Sequence, residues 1–364
     1  MRNVFSENLL FKLRPGGLVE VVEGRSGAFI EGDSWLLAAI QALHPLKDGF
    51  VAEDFVAVAA PYCGTEAARA IFEHLKSASC IVEYCEAGKL SREKYSWNEL
   101  GWGAAKMFFE SVVDTQFVSG TDEGMREQQE IVVDIASQAK GPPAVKQYPS
   151  DFRRIPLSTP PLQDSRCVAD VLLSRRTVRN FSHGHQVSLD QLSLVLHLAA
   201  RSHGLFHNPM GPHLRRSSPS GGARHPVEVY PQLIHAGELS GTSCYYDSVA
   251  HELVVLGPTD ADQIYEIGQK QTGCTNVPFA LLLTLRFSRN LWKYRYAKSF
   301  LFSWLDLGHL AQSIILAAES VGFRSFLTPA LDVPKARSLL NLSNSLDEIP
   351  AYLLTFGRTR GQVP

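Results

Sequence analysis

The sequence predicts an α+β protein of two domains, and three observations carry that prediction. The 364 residues are 45% apolar and 20% charged, which is enough apolar material for packed cores and more chain than one small module needs. Strand-like and helix-like stretches interleave over the C-terminal half, as in layered α+β folds. Between about residues 137 and 164 the chain gathers six prolines and loses apolar periodicity, so it reads as an extended connection over the surface of the domain that follows. The expected division is 1–136, a Pro-rich linker at 137–164, and 165–364.

Before the linker, β-like runs at 18–22 and 28–30 precede helices near 33–44, 52–60 and 65–78 and a strand at 80–84. The helix at 65–78 has the firmest basis. Ala68, Ile71, Phe72 and Leu75 recur at the spacing of one buried face, and Thr65 stands where a cap is expected. Three helices followed by a strand resemble a winged-helix module, which implies a recognition or docking domain. Tyr95 to Phe117 carries Trp97, Trp102, Phe108, Phe109 and Phe117 and reads as an aromatic-rich bridging helix packed for structure.

After the linker, a short helix (165–173) leads into an Arg-rich loop. A second helix opens with the capping box Ser188/Gln191 and carries Leu192, Val195, Leu196 and Ala199 on one face. Strands are expected at 227–234, 244–247 and 251–256, then a helix at 260–270, a fully apolar and hence buried strand at 278–287, and a long helix from Ser299 to Val321 stopped by Gly322. A strand, a short helix from Pro334 and a final strand at 351–356 complete the order.

Charge and composition exclude several classes. Residues 1–150 hold 14 Lys+Arg against 21 Asp+Glu, a balance of −7, while the remainder carries +5. The acidic half is a poor partner for a phosphate backbone, so nucleic-acid binding is not expected; the basic half suits a small anionic cofactor. The longest apolar stretch, Val277 to Leu285, is about half of what a spanning helix needs, and Glu7 interrupts any signal-peptide core. A cytoplasmic protein without membrane association is therefore expected. Six cysteines without a CxxC pair, and histidines without a ligand pattern, predict neither disulfide framework nor metal site.

Two constellations carry chemistry. Arg175-Arg176-Thr177-Val178-Arg179-Asn180-Phe181 places three permanent, forked cations within five residues, suited to phosphate or a delocalised anion. Ser218-Pro219-Ser220-Gly221-Gly222-Ala223-Arg224-His225-Pro226 has paired glycines that let the backbone lie against a flat ligand. Taken alone, the first also suits a solvated loop and the second a tight turn. With Tyr245-Tyr246-Asp247, His251, Lys293-Tyr294 and Leu305-Asp306-Leu307-Gly308-His309-Leu310-Ala311-Gln312 following in order, residues 165–360 resemble the flavin-dependent nitroreductase superfamily, and within it the SagB/McbC-type azoline dehydrogenases that mature ribosomally made peptides.

The resemblance implies a nitroreductase-like sheet-and-helix domain that binds FMN at a homodimer interface. Arg175, Arg176, Thr177 and Arg179 would hold the phosphate, the ribityl chain and the N1/O2 edge; Pro219, Ser220, Gly221 and Gly222 would line the ring; Arg358 and Arg360 would add a second phosphate-binding cation. Lys293 and Tyr294 would be the catalytic pair, with Tyr294 as base activated by the adjacent ammonium or the reverse, and so must sit on a turn or helix start to act jointly. The stripe Ser303, Asp306, His309, Gln312 would form a seam between subunits. One departure bears on the flavin. Pro329 has no N–H for flavin N5, which leaves Ala330 to supply it. The implied activity is a two-electron oxidation such as azoline to azole on a precursor peptide, with oxygen reoxidising the flavin and a cyclodehydratase as a possible co-worker. A general NAD(P)H-dependent nitro or quinone reductase, or a non-catalytic flavin-bound scaffold, are the alternatives.

Overall fold

The computed structural model describes residues 3–5, 9–13, 18–23, 29–43, 49–78, 80–83, 101–159, 161, 166–208 and 211–359. It divides into two compact units, Met1–Gln116 and Phe117–Pro364. The division falls before the expected boundary at 136/137, so the helix and the Pro-rich segment that follow Gln116 belong to the second unit.

The first unit holds β1 (Asn3–Phe5), β2 (Leu9–Leu13), β3 (Leu18–Glu23), β4 (Phe29–Asp33), α1 (Ser34–Leu43), α2 (Ala52–Cys63), α3 (Thr65–Ser77), β5 (Ile81–Glu83) and α4 (Gly103–Val113). Strands β2, β3 and β4 form an antiparallel sheet, and β1 pairs with β5. Val19, Leu36, Ile40, Phe55, Phe72 and Leu75 share one core, so the face expected of α3 is buried. Thr65 does not cap that helix. Gly64, at φ +85°, holds the cap position, and no side chain bonds there. Helix α2 also runs past Pro61 to Cys63, where the proline gives up the bond to the Ala57 carbonyl. Trp97 lies outside the described residues.

The second unit holds α5 (Asp122–Gln138), β6 (Arg154–Pro156), α6 (Val168–Ser174), α7 (Leu189–Ala199), β7 (Gly204–Asn208), β8 (Gly211–Arg215), β9 (Val227–Leu233), β10 (Thr242–Asp247), β11 (Glu252–Pro258), α8 (Ala261–Ile267), β12 (Phe279–Arg286), α9 (Ser288–Lys293), α10 (Ser299–Ser320), β13 (Arg324–Thr328), α11 (Val333–Leu339) and β14 (Glu348–Gly357). Seven strands form one antiparallel sheet in the order β13-β14-β12-β9-β10-β11-β6, with β7 and β8 as a separate hairpin.

Alternation along β12 shows why that strand is apolar throughout. Phe279, Leu281, Leu283 and Leu285 point into a core shared with Leu192, Leu196, Leu310 and Ile314 of α7 and α10. Ala280 and Leu282 point into a core with Ile264 of α8 and Ala336 of α11. The sheet is thus covered on both faces. Helix α10 has the length and mean hydropathy, 1.3, of a membrane span, and here it supplies one wall of this core. The Ser188/Gln191 capping box forms as expected, with reciprocal bonds of 3.1 Å.

Candidate functional site

The glycine-rich loop is held by α10. Ser220 donates its hydroxyl to Asp306 Oδ2 at 2.6 Å, Gly221 N–H donates to Asp306 Oδ1 at 3.2 Å, and the Ser220 hydroxyl accepts the His225 N–H at 2.8 Å. Gly222 sits at φ +60°, where a side chain is strained. A Cβ built there would fall on the Tyr294 hydroxyl and 2.6 Å from Lys293 Nζ. Two motifs separated by seventy residues of sequence therefore converge: both candidate catalytic groups lie directly over the missing side chain.

Lys293 is the last residue of α9 and Tyr294 caps it, its N–H bonded to Asn290 O at 2.8 Å. The pair sits at a helix end rather than at the expected turn or helix start, which still brings both side chains to one place: Lys293 Nζ is 5.0 Å from the Tyr294 ring centre. Their electrostatics favour one of the two expected assignments. Burial, then the Arg224 guanidinium, lowers the Lys293 ammonium below the ordinary lysine range. Burial, then Tyr296, with a further push from Asp306 and some relief from Arg224, raises the Tyr294 phenol to about 12. The shifts thus move Lys293 toward its neutral form and hold Tyr294 in its protonated, hydrogen-bond-donating form.

The Arg-rich loop leaves α6 at Arg175, whose N–H closes the helix on Val171 O at 3.0 Å. Thr177 bridges to Ser325 in β13, and Val178 N–H donates to Ser325 O at 2.9 Å. Phe181 is buried against Gly357, where a Cβ would come to 2.6 Å from its ring, and Ser182 N–H donates to Arg358 O at 2.8 Å. The loop and the C-terminal cation expected from the sequence are thereby neighbours. Arg176 donates to the carbonyls of Leu173 and Arg175 at 2.8 Å, Arg179 stacks 5.7 Å from the Phe326 ring, and Arg358 is buried over Phe323. Among the described residues no carboxylate pairs with Arg175, Arg176 or Arg179, so their charge is open to an external anion. Arg360 lies outside the described residues. Ala330 N–H is bonded to Thr328 Oγ1 at 3.1 Å, so as folded it is already taken by its own chain rather than free for a flavin.

These residues form two groups, not one. Pro219 to Gly222 with Lys293 and Tyr294 lie beside the start of β9 and beyond the end of β12; the Arg-rich loop and Arg358 lie at the opposite end, where Phe356 faces Phe279. The seven steps of β12 between those ends span about 23 Å. Helix α10 is a second ruler: Asp306 holds the glycine loop, while Glu319 accepts from Ser174, just before Arg175, at 2.8 Å and from Arg324 at 2.5 Å. Thirteen residues of helix separate them by about 20 Å.

Several contributing residues escaped the sequence reading. Asp306 belonged to a stripe expected to face another subunit, yet Ser303 accepts from Asn290 at 2.8 Å and Asp306 holds the glycine loop, both within the chain. Arg289 is fully buried and donates to Glu228, to His225 O at 2.6 Å and to Pro143 O at 3.2 Å, tying α9 to β9 and to the linker. Nothing in Ser288-Arg289-Asn290 marks it as a core residue. Arg224 stood inside a quoted motif, but its place 5.0 Å over the Trp292 ring required the fold.

Known proteins are similar to the part of the chain that carries these residues. The sequence model described as "Nitroreductase family" matches residues 172–358. The trifolitoxin-processing protein TfxB of Rhizobium leguminosarum bv. trifolii is 29% identical over 48% of this chain and 50% of its own length. The microcin B17-processing protein McbC of Escherichia coli is 27% identical over 33% of this chain and 46% of its own. A protein of Methanocaldococcus jannaschii, named as a candidate nitroreductase, is 25% identical over 52% of this chain and 89% of its own. The chain thus spans about half the length of the two peptide-processing relatives.

Proposed function

Because this chain belongs to the nitroreductase family, we propose that it is an FMN-dependent dehydrogenase acting in the maturation of a ribosomally made peptide. The observation that carries the reading is the placement of Lys293 and Tyr294 over Gly222, within a family whose chemistry is flavin oxidoreduction. The peptide-processing relatives TfxB and McbC support the substrate class.

The residues present fit FMN. Three cations without carboxylate partners among the described residues suit the phosphate and the N1/O2 edge, and Gly221, whose Cβ position meets nothing nearer than Phe302 at 3.9 Å, leaves room for a flat ring beside the Lys293–Tyr294 pair that covers Gly222. When bound, FMN would supply a two-electron acceptor for hydride, with oxygen as the terminal oxidant. Lys293, neutral in a larger share of molecules than an ordinary lysine, takes the proton from one ring carbon of an azoline as hydride leaves its neighbour. Tyr294 donates a hydrogen bond to the substrate and holds it in place. The two groups lie some 20 Å apart along α10, and the arginines are to hold the ring edge as well as the phosphate. Gly221 and Gly222 of the same chain therefore do not reach that ring, so we assign the second group to another copy in a homodimer. The acidic N-terminal unit serves as the docking module for a precursor peptide or a modifying partner.

The test uses a thiazoline-containing peptide and the purified, FMN-loaded protein. Loss of 2 Da per site, abolished in Lys293→Ala and reduced at least a hundredfold in Tyr294→Phe while the yellow colour remains, is the expected result. Colourless protein that takes up no FMN overturns the reading. Rapid NADH-driven reduction of a nitroaromatic with no peptide oxidation would make it a general reductase. FMN uptake with no oxidation of peptide and no reduction of nitroaromatic by the unmodified protein would leave a scaffold, and full turnover in both variants would remove the pair from the chemistry.

A further inference from the structure

We propose that residues 138–146 form a strap that positions the Lys293–Tyr294 pair by gripping the residues on either side of it. The proposal rests on the reading of that pair as the proton-handling groups. Trp292, immediately before Lys293, donates its indole N–H to Ala139 O at 2.9 Å, and its ring lies against Gly141, where a Cβ would come to 3.4 Å. Arg295, immediately after Tyr294, donates to Gln138 Oε1 at 3.1 Å. One turn back along α9, Arg289 reaches Pro143 O.

The far end of the strap is pinned in the sheet. Lys146 N–H donates to Tyr245 OH at 3.0 Å, and its ammonium donates to Tyr230 OH at 3.0 Å and to Glu348 Oε2 at 3.1 Å. Tyr230 and Tyr245 are fully buried. A segment that is rich in proline and anchored through a partly buried lysine is stiff, and α9, at six residues, is too short to hold its own end still.

The strap also sets the charges around the pair. Trp292 stands between Gly141 and the Arg224 guanidinium, and Arg224 is the charge acting on Lys293. The other ionisable groups acting on the pair are Tyr296 and, from α10, Asp306, both through Tyr294. Loosening Trp292 lets water reach Lys293 and lets Arg224 move, so the ammonium regains stability and the proton acceptor is lost at neutral pH. Trp292 is a positioning residue in this account, with no contact to substrate required.

The first readout follows Lys293 directly and needs neither substrate nor flavin, and the second is peptide oxidation by the FMN-loaded protein. The full chain is labelled with trace acetic anhydride across pH, and acetylation at Lys293 is quantified by mass spectrometry, with exposed Lys270 as the internal reference. In Trp292→Phe, which keeps the ring and deletes the N–H, the Lys293 midpoint should rise by about one pH unit, and peptide oxidation near pH 7 should fall roughly tenfold. Gln138→Ala, at an exposed position where folding is not at risk, should move the midpoint the same way by less. Unchanged Lys293 midpoints in both variants overturn the strap. Full turnover in Lys293→Ala, with the midpoint shifts still present, would instead remove the catalytic reading of the pair.

Discussion

Gly222 is the residue on which the site turns. It has φ +60° and no space for a Cβ, because the Tyr294 hydroxyl and Lys293 Nζ occupy that space. Both obstructing groups are the far ends of flexible side chains, so Gly222→Ala should fold, at a cost of about 1 kcal/mol for the left-handed backbone. Its effect should fall on chemistry: the new methyl pushes both side chains off the ring surface. Thermal unfolding nearly unchanged, FMN retained and peptide oxidation lowered at least a hundredfold is the expected pattern, checked by a melt and a turnover assay on one preparation. Equal turnover in Gly222→Ala would mean that the two side chains do not work where the structure places them.

At the scale of elements, α10 is both a wall of the core and the mount for the glycine loop. Asp306 is buried on this helix, and burial raises its carboxyl pKa while the bonds from Ser220 and Gly221 pull it back down. Asp306→Asn keeps the shape but presents an amide that can accept only one of those bonds, so the loop should loosen by about 1–3 kcal/mol. A lower melting temperature together with a raised KM for peptide checks this; a turnover defect with an unchanged melt would place Asp306 in the chemistry instead. The helices and central strands could be read from the sequence because their burial is periodic: α7 from Leu192, Val195, Leu196 and Ala199, β12 from an unbroken apolar run that is covered on both faces. Helix α5 could not, since it is polar and buries only Gly124 and Ile135, nor could strands β1, β2 and β6, the hairpin β7–β8 and α9, since they are short and their order comes from pairing and from contacts remote in sequence. The candidate site was half visible. Motifs named Lys293, Tyr294, Gly222 and the arginines, but Asp306, Arg289 and Trp292 act through neighbours that only folding brings near.

For the whole molecule, the decisive feature is that the arginines proposed for the cofactor's phosphate and the Lys293–Tyr294 pair stand at opposite ends of β12. If one chain made a complete site, the two groups would have to serve one flavin across about 20 Å while the arginines also hold its ring edge. A site shared between two copies removes that conflict, and exposed apolar side chains on α6 and α10, among them Leu173, Trp304 and Leu305, offer area for such an interface. Sharing has a consequence that a single-chain site cannot imitate. A variant with Arg175→Ala and Arg176→Ala, and a second with Lys293→Ala, should each be inactive alone. In a mixed dimer one site carries both lesions and the other carries neither, so unfolding and refolding an equal mixture should restore about a quarter of wild-type turnover. Mixing that restores nothing, in a sample shown by mass to contain the mixed dimer, would return the complete site to one chain. Recovery near a quarter would require the arginines of one copy to work with the lysine and tyrosine of the other.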